Sequence, residues 1–132
     1  RARKFLKKSN LDYAHGTGHG VGFYLNVHEG PQSISKINKV KIKEGMILSN
    51  EPGFYKKNKF GIRIENLVYV KRQNKRLSFE NLTMAPIEKD LINFNLLTNF
   101  EKNYLFKYHL NVYSKISKYL NSNEKKWLAS LI

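Results

Sequence analysis

Cysteine is absent from the 132 residues, so neither a disulfide framework nor a thiolate metal site can form. Proline occurs three times and tryptophan once. No run of about 18 apolar residues is present, which excludes an ordinary membrane-spanning helix. Acids are scarce: 10 Asp plus Glu stand against 24 Lys plus Arg, a formal charge of +14. Taken alone, that balance points to nucleic acid or an anionic surface. It also makes the position of each carboxylate informative. What is present argues for folding: 41% apolar and 13% aromatic residues are enough for a core. The length suits one domain or part of one. The start, Arg1-Ala2-Arg3-Lys4, lacks Met and an apolar segment behind the charges, so the interior of a longer product is expected.

Along the chain, Ala2, Phe5, Leu6 and Ser9 repeat at helical spacing, and Asn10 supplies a stop because Asn tolerates the left-handed conformation. Gly16, Gly18, Gly20 and Gly22 then alternate with Thr17, His19 and Val21. Glycine at this density forbids a stable helix and suits an extended segment approached closely by backbone or ligand. Phe23 to His28 is expected to continue as strand, ended by Glu29-Gly30-Pro31. Met46 to Glu51 reads as a strand stopped by Pro52-Gly53, and Gly61 to Val70 as a longer one. Phe54 to Phe60, with Lys56, Lys57 and Lys59 around Asn58, reads as the exposed loop of the resulting hairpin. Leu77 to Ala85 is expected to be another strand. In the last third, Thr98-Asn99-Phe100-Glu101 fits a capping box. Leu105, Tyr108, Val112, Ile116 and Leu120 form one apolar stripe behind it. Asn123 is expected to cap a last short helix with Trp127, Leu128 and Leu131. There is no internal repeat and no low-complexity linker.

His15, His19 and His28 fall within fourteen residues. His15 and His19 have the HxxxH spacing that brings two imidazoles within about 6 Å on a helix. The glycines argue for strand instead, where four residues span roughly 13 Å. At most one of the two is then expected to ligate a given metal ion. Two of the rare acids, Glu51 and Glu65, occupy strand positions. An unpaired buried carboxylate is costly, so each must be paired, protonated or metal-bound. Alternation puts Arg63 and Glu65 on one face and Ile62, Ile64 and Val68 on the other. Two Glu and one His make an oxygen-rich donor set that favours hard divalent ions and also admits zinc, cobalt or iron. The bland reading stands beside this one. The glycine segment could be a tight strand crossing with a satisfied polar His, and Glu65 could simply pair with Arg63. The glycines match neither GxxxxGK[ST] nor GxGxxG, so they form no phosphate loop.

His15-Gly16-Thr17-Gly18-His19-Gly20-Val21-Gly22, followed by Leu25-Asn26-Val27-His28-Glu29-Gly30-Pro31, resembles the signature of the aminopeptidase P (Xaa-Pro aminopeptidase) family. These are metallopeptidases of the pita-bread fold. Ser49 to Tyr55 and Gly61 to Asn66 resemble the next two blocks, in the same order. Leu82 to Ile87 resembles the strand that closes the domain, and the helices from Thr98 to Trp127 resemble the C-terminal extension of the longer, cytosolic type. The resemblance implies an α+β, partial pita-bread fold. Residues 1–97 would be the C-terminal part of the catalytic domain and residues 98–132 a helical extension packed on it.

The same resemblance implies two divalent metal ions, with manganese favoured and zinc or cobalt admissible. His19, Glu51 and Glu65 would be metal ligands, Glu65 bridging the pair and Glu51 a candidate to take the proton from the attacking water. His15 and His28 would line the substrate side, with Arg63 supporting the network. It further implies peptide substrates with proline second, a cytoplasmic location and a homodimer. One departure stands out. The family also uses two Asp and another His upstream, and neither Asp12 nor Asp90 sits in the matching motif. This stretch alone is therefore expected to bind metal weakly and to lack activity. A dipeptidase of the same fold is the near alternative. The distant one is a non-catalytic relative binding nucleic acid through Lys36/Lys39/Lys41/Lys43, Lys56/Lys57/Lys59 and Lys71/Arg72/Lys75/Arg76. Those clusters sit in turns without interleaved aromatics, so nucleic acid is not the expected partner.

Overall fold

The computed structural model describes residues 2–24 and 26–132. Two compact units divide it, Arg1–Thr83 and Met84–Ile132. The first holds a short helix α1 (Lys4–Lys8) and strands β1 (Gly18–His19), β2 (Ser33–Ile34), β3 (Ile47–Asn50), β4 (Gly53–Lys56), β5 (Phe60–Arg63), β6 (Asn66–Gln73) and β7 (Arg76–Asn81). The second holds helices α2 (Asn99–Ile116) and α3 (Ser122–Ala129), with single 3₁₀ turns around them. The architecture is α+β, with antiparallel pairing in every strand pair.

In the first unit, β3, β6 and β7 form one sheet, with Leu48 opposite Val68 and Asn50 opposite Asn66. Leu48, Val68 and Val70 are buried there, with Ile34, Ile42 and Met46 packed against them. Burial of such side chains contributes about 1.5–3 kcal/mol each. Lys71 pairs with Glu80 and Arg72 with Glu44, so part of the basic clusters is answered locally.

The expected hairpin between Met46–Glu51 and Gly61–Val70 is present, but it is broken midway. Glu51 donates its N–H to Thr17 O at 2.8 Å instead of to β6, and Pro52 has no N–H to give. The partner strand is interrupted to match, so residues 61–70 are split between β5 and β6. Beyond the break the ladder resumes as β4 and β5, with Gly53 opposite Arg63 and Lys56 opposite Phe60. Most of the expected loop from Phe54 to Phe60 is therefore strand, turning at Asn58 with φ 57°. Alternation consequently fails across the break: Ile62 and Ile64 are exposed, whereas Val68 is buried.

The described residues of Phe23 to His28 form no strand; Leu25, part of that expectation and of the quoted signature, lies outside the described residues, as does Arg1. Instead the chain folds back on itself. Gly22 N–H donates to Asn26 O and Glu29 N–H to Gly20 O. A side chain at Gly22 would collide with the Glu29 carboxylate, and Tyr24 at φ 57° helps to reverse the direction.

In the second unit, Thr98 and Glu101 cap α2 reciprocally, as the sequence predicts. Tyr108, Val112 and Leu128 form the core, with Ile87, Tyr113, Ile116, Leu120 and Leu131 around it. The cap of α3 is Asn121, not Asn123. Asn121 has the extended backbone a cap needs and accepts from the N–H groups of Asn123 and Glu124, whereas Asn123 already lies inside the helix. His109 is buried, and its Nε2 accepts the Ile87 N–H at 3.1 Å.

Candidate active site

Gly18 crosses β3 so closely that a Cβ there would lie 1.9 Å from the Ser49 carbonyl oxygen. The bare α-carbon permits this approach, and the approach delivers His19. His19 N–H donates to Ser49 Oγ at 2.9 Å, and the same hydroxyl donates to Glu51 Oε1 at 2.8 Å. His19 Nδ1 lies 2.9 Å from Gly20 O, a contact made by the tautomer with its proton on Nδ1. Nε2 then turns a lone pair toward Glu51 Oε1, 3.3 Å away. Two acceptors that close need a proton or a cation between them. This is the donor arrangement of a ligating imidazole held by a carbonyl behind it. Glu51, 8% exposed, belongs to the buried carboxylates that must be answered.

Glu51 Oε2 faces Arg63 Nη1 at 3.3 Å. The same nitrogen lies 3.9 Å from Glu65 Oε2. Arg63 Nε donates to the Tyr55 hydroxyl at 2.8 Å, which leaves that hydroxyl to donate to His15 Nε2, also at 2.8 Å. His15 Nδ1 lies 2.6 Å from Gly16 O, consistent with a proton on that nitrogen. The Tyr55 hydrogen bond, aided by the charges of Glu51 and Glu65, raises the Arg63 pKa above its ordinary value. The Tyr55 side chain is seated between Gly53 and Gly61, where an added Cβ would come within 2.6 Å of its hydroxyl oxygen and 2.8 Å of its ring, respectively. The His28 ring lies against His19, centroids 4.0 Å apart.

One connected network thus contains His15, Tyr55, Arg63, Glu51, Ser49 and His19, with His28 stacked at its end. Glu65 joins only through Arg63, and its side chain is half exposed, so the expectation of a buried carboxylate holds for Glu51 alone. Among the described residues, no group of three or more His, Asp and Glu side chains closes around a point that could hold a metal ion. The donor chemistry of His19 and Glu51 fits a divalent cation, as a pair rather than a complete shell. Ser49 and Tyr55 are absent from the residues singled out in the sequence. Ser49 was within reach, since alternation places it on the Glu51 face; Tyr55 was hidden in the presumed loop.

The profile of metallopeptidase family M24 matches residues 1–72. The chain belongs to metallopeptidase family M24. The C-terminal region of the same peptidases matches residues 75–131 of this M24 chain. A probable Xaa-Pro aminopeptidase P of Laccaria bicolor is 45% identical over 96% of the chain, and one of Coprinopsis cinerea 46% over 96%. The chain spans 22% of the length of each of these relatives. Among solved structures, an X-prolyl aminopeptidase from Caenorhabditis elegans, described as a cytosolic enzyme with a di-nuclear active site, superposes with a TM-score of 0.89. It is 41% identical, over 98% of this chain and 23% of that one. The prolidase from Pyrococcus furiosus matches 58% of this chain and 22% of its own, at 34% identity and a TM-score of 0.50. The M24 chain thus has the pita-bread fold in part, as its sequence blocks imply.

Proposed function

We propose that the protein containing this chain is a metal-dependent Xaa-Pro aminopeptidase, releasing the N-terminal residue from peptides with proline second. The observation that carries this reading is the His19–Glu51 pair, 3.3 Å apart and locked by Ser49, within a chain of the M24 family. His19, Glu51 and Glu65 would hold two divalent ions together with donors from elsewhere in the protein, manganese being the ion best suited to the carboxylates. When bound, such ions would acidify a water and offset charge on the scissile carbonyl.

The chain's own groups divide the remaining work. Glu51 accepts a proton at Oε1 or Oε2, its charge held in place by Ser49 and Arg63. His15, fixed by Gly16 and Tyr55, and His28, stacked on His19, would present ring nitrogens to the substrate carbonyl and the leaving proline nitrogen. Proline lacks an N–H and restricts the residue before it, so a dedicated pocket for its ring is required. Residues 1–97 act in this reading as the C-terminal part of the catalytic domain, and residues 98–132 as its helical extension. The full-length protein would be cytosolic, in line with the cytosolic Caenorhabditis enzyme that this chain resembles, and would form a homodimer. An aminopeptidase is favoured over a dipeptidase because the relatives that match 96% of the chain at 45% and 46% identity are probable Xaa-Pro aminopeptidases P.

Hydrolysis of a Gly-Pro-type peptide by the full-length protein tests this. Activity that is lost on chelation and restored by manganese supports the reading; activity indifferent to chelation, or absent with every divalent ion, overturns it.

A further inference from the structure

Between α1 and β1, residues 11–17 carry His15 through a stretch with no helix or strand of its own. Such a stretch has no ladder to fix its direction, so its backbone groups need other partners. Arg3 supplies several. Its Nη1 donates to Tyr13 O at 2.6 Å and its Nη2 to His15 O at 2.5 Å. Nη1 also meets Asp12 Oδ1 at 2.5 Å, and that oxygen accepts the Tyr13 N–H at 2.9 Å. The guanidinium lies over the Tyr13 ring, 3.7 Å from its centroid. Tyr13 is buried, and its hydroxyl is bonded to Thr17 Oγ1 at 2.7 Å. The His15 ring packs on the Tyr13 ring, centroids 4.8 Å apart, and meets the Tyr55 ring at 5.4 Å. Arg3 is thus bonded to the backbone of His15 and stacked on the ring that the His15 imidazole rests on.

A lysine at this place could supply the charge but not the pattern. Acceptors on Asp12, Tyr13 and His15, with a ring beneath the donor, call for a planar fork that bonds in several directions and stacks at once. We propose that Arg3 is a positioning residue for the reaction. It fixes the backbone at His15 and, through Tyr13, the plane of the His15 ring, so that the imidazole keeps the place given to it by Gly16 and Tyr55. This rests on the peptidase reading above, in which His15 faces the substrate, and adds to it a residue that acts through His15 rather than on the substrate itself. Its lever is geometric: misplacing a reacting group by about 1 Å can cost about a hundredfold in rate.

The test uses the full-length protein with manganese and a Gly-Pro-type peptide. Arg3→Lys keeps the charge and loses the fork. The expected result is a fall in kcat of about tenfold to a hundredfold, with KM and bound metal as in wild type. Placed on His15→Ala, the same substitution should cause no further fall, because the group it positions is gone. Where His15→Ala leaves no turnover to measure, the crystal structure of Arg3→Lys decides instead, and a His15 ring displaced from the Tyr55 hydroxyl supports the proposal. A wild-type kcat in Arg3→Lys, an equal fall in both backgrounds or an unmoved His15 ring would overturn it. Loss of bound metal, or a variant that does not fold, would assign Arg3 to the metal site or to the fold and overturn it too. Wild-type turnover in His15→Ala removes the role of His15, and the proposal with it, while leaving the peptidase reading intact. A wild-type protein that cleaves no Xaa-Pro peptide overturns that reading itself.

Discussion

Arg63 Nη1 lies 3.3 Å from Glu51 Oε2, while the other oxygen of that carboxylate faces Ser49 and His19. Glu51 is thereby engaged on both sides, and of the two carboxylates at the break in the hairpin, Glu51 and Glu65, which the structure places between strands and not within them, it alone is buried. Its backbone explains the position. By leaving the β3–β6 ladder to bond Thr17, it turns the break in the hairpin into the point where three segments of chain meet.

Ser49→Ala should therefore loosen the site from below. The hydroxyl is fully buried, accepts from His19 N–H and donates to Glu51. Its loss leaves a partly buried N–H and the buried Glu51 carboxylate each without a partner, at a cost of about 1–3 kcal/mol. Denaturant unfolding of the full-length protein should show the fall, accompanied by weaker metal retention on dialysis. A variant as stable as wild type would mean that the hydroxyl has no structural role.

Tyr55→Phe removes the hydroxyl that joins Arg63 to His15 without removing the ring that fits Gly53 and Gly61. Turnover should fall between about tenfold and a hundredfold, the size of one hydrogen bond to a charged group at 1.5–3 kcal/mol. Bound metal, measured by elemental analysis, should stay as in wild type. An unchanged kcat would show that His15 does not depend on this bridge.

Gly18→Ala drives a methyl group into backbone, with the Ser49 carbonyl oxygen 1.9 Å away. The two nearest atoms, the carbonyl oxygen and carbon of Ser49, are backbone and cannot swing aside, so β1 must separate from β3 and carry His19 with it. Loss of soluble folded protein or of metal binding is the expected outcome, read by circular dichroism and metal titration. Wild-type stability would contradict the close crossing.

His109 gives the C-terminal unit a pH dependence of its own. Burial lowers its pKa below the ordinary 6.5, and Nε2 already accepts the Ile87 N–H. Below pH 6.5 the unfolded chain takes up a proton that the folded unit resists, so stability falls as pH drops from about 6.5 toward the lowered folded value. Above 6.5 both states are neutral there and the effect vanishes. Comparing melting of the wild-type protein and His109→Gln between pH 7.5 and 5.5 checks this: the variant should lose less. Equal losses would assign the pH dependence to other groups.

Much of the site is legible in the sequence because its backbone constraints are written as residue types. The glycines around His19 announce a crossing that only bare α-carbons allow, and the fewness of acids singles out Glu51 and Glu65. What stays hidden is set by pairing across distance. Lys56, Lys57 and Lys59 make residues 54–60 look like loop, yet the register with β5 draws Tyr55 into a strand and aims its hydroxyl at Arg63. The fold-back at Phe23 to His28 depends on Gly22 meeting the Glu29 side chain, a contact that periodicity cannot express. Asn123 lost the cap to Asn121 by two residues, a choice decided by local dihedral angles.

Glu65 is the proposed ligand that the geometry supports least by itself, and it is the one on which the two-ion reading depends. The most direct measurement is turnover of a Gly-Pro-type peptide by the full-length protein carrying Glu65→Ala, with manganese added. Abolished turnover in a folded variant is the expected result; turnover at the wild-type level would contradict Glu65 as a metal ligand and the metallopeptidase site built on it.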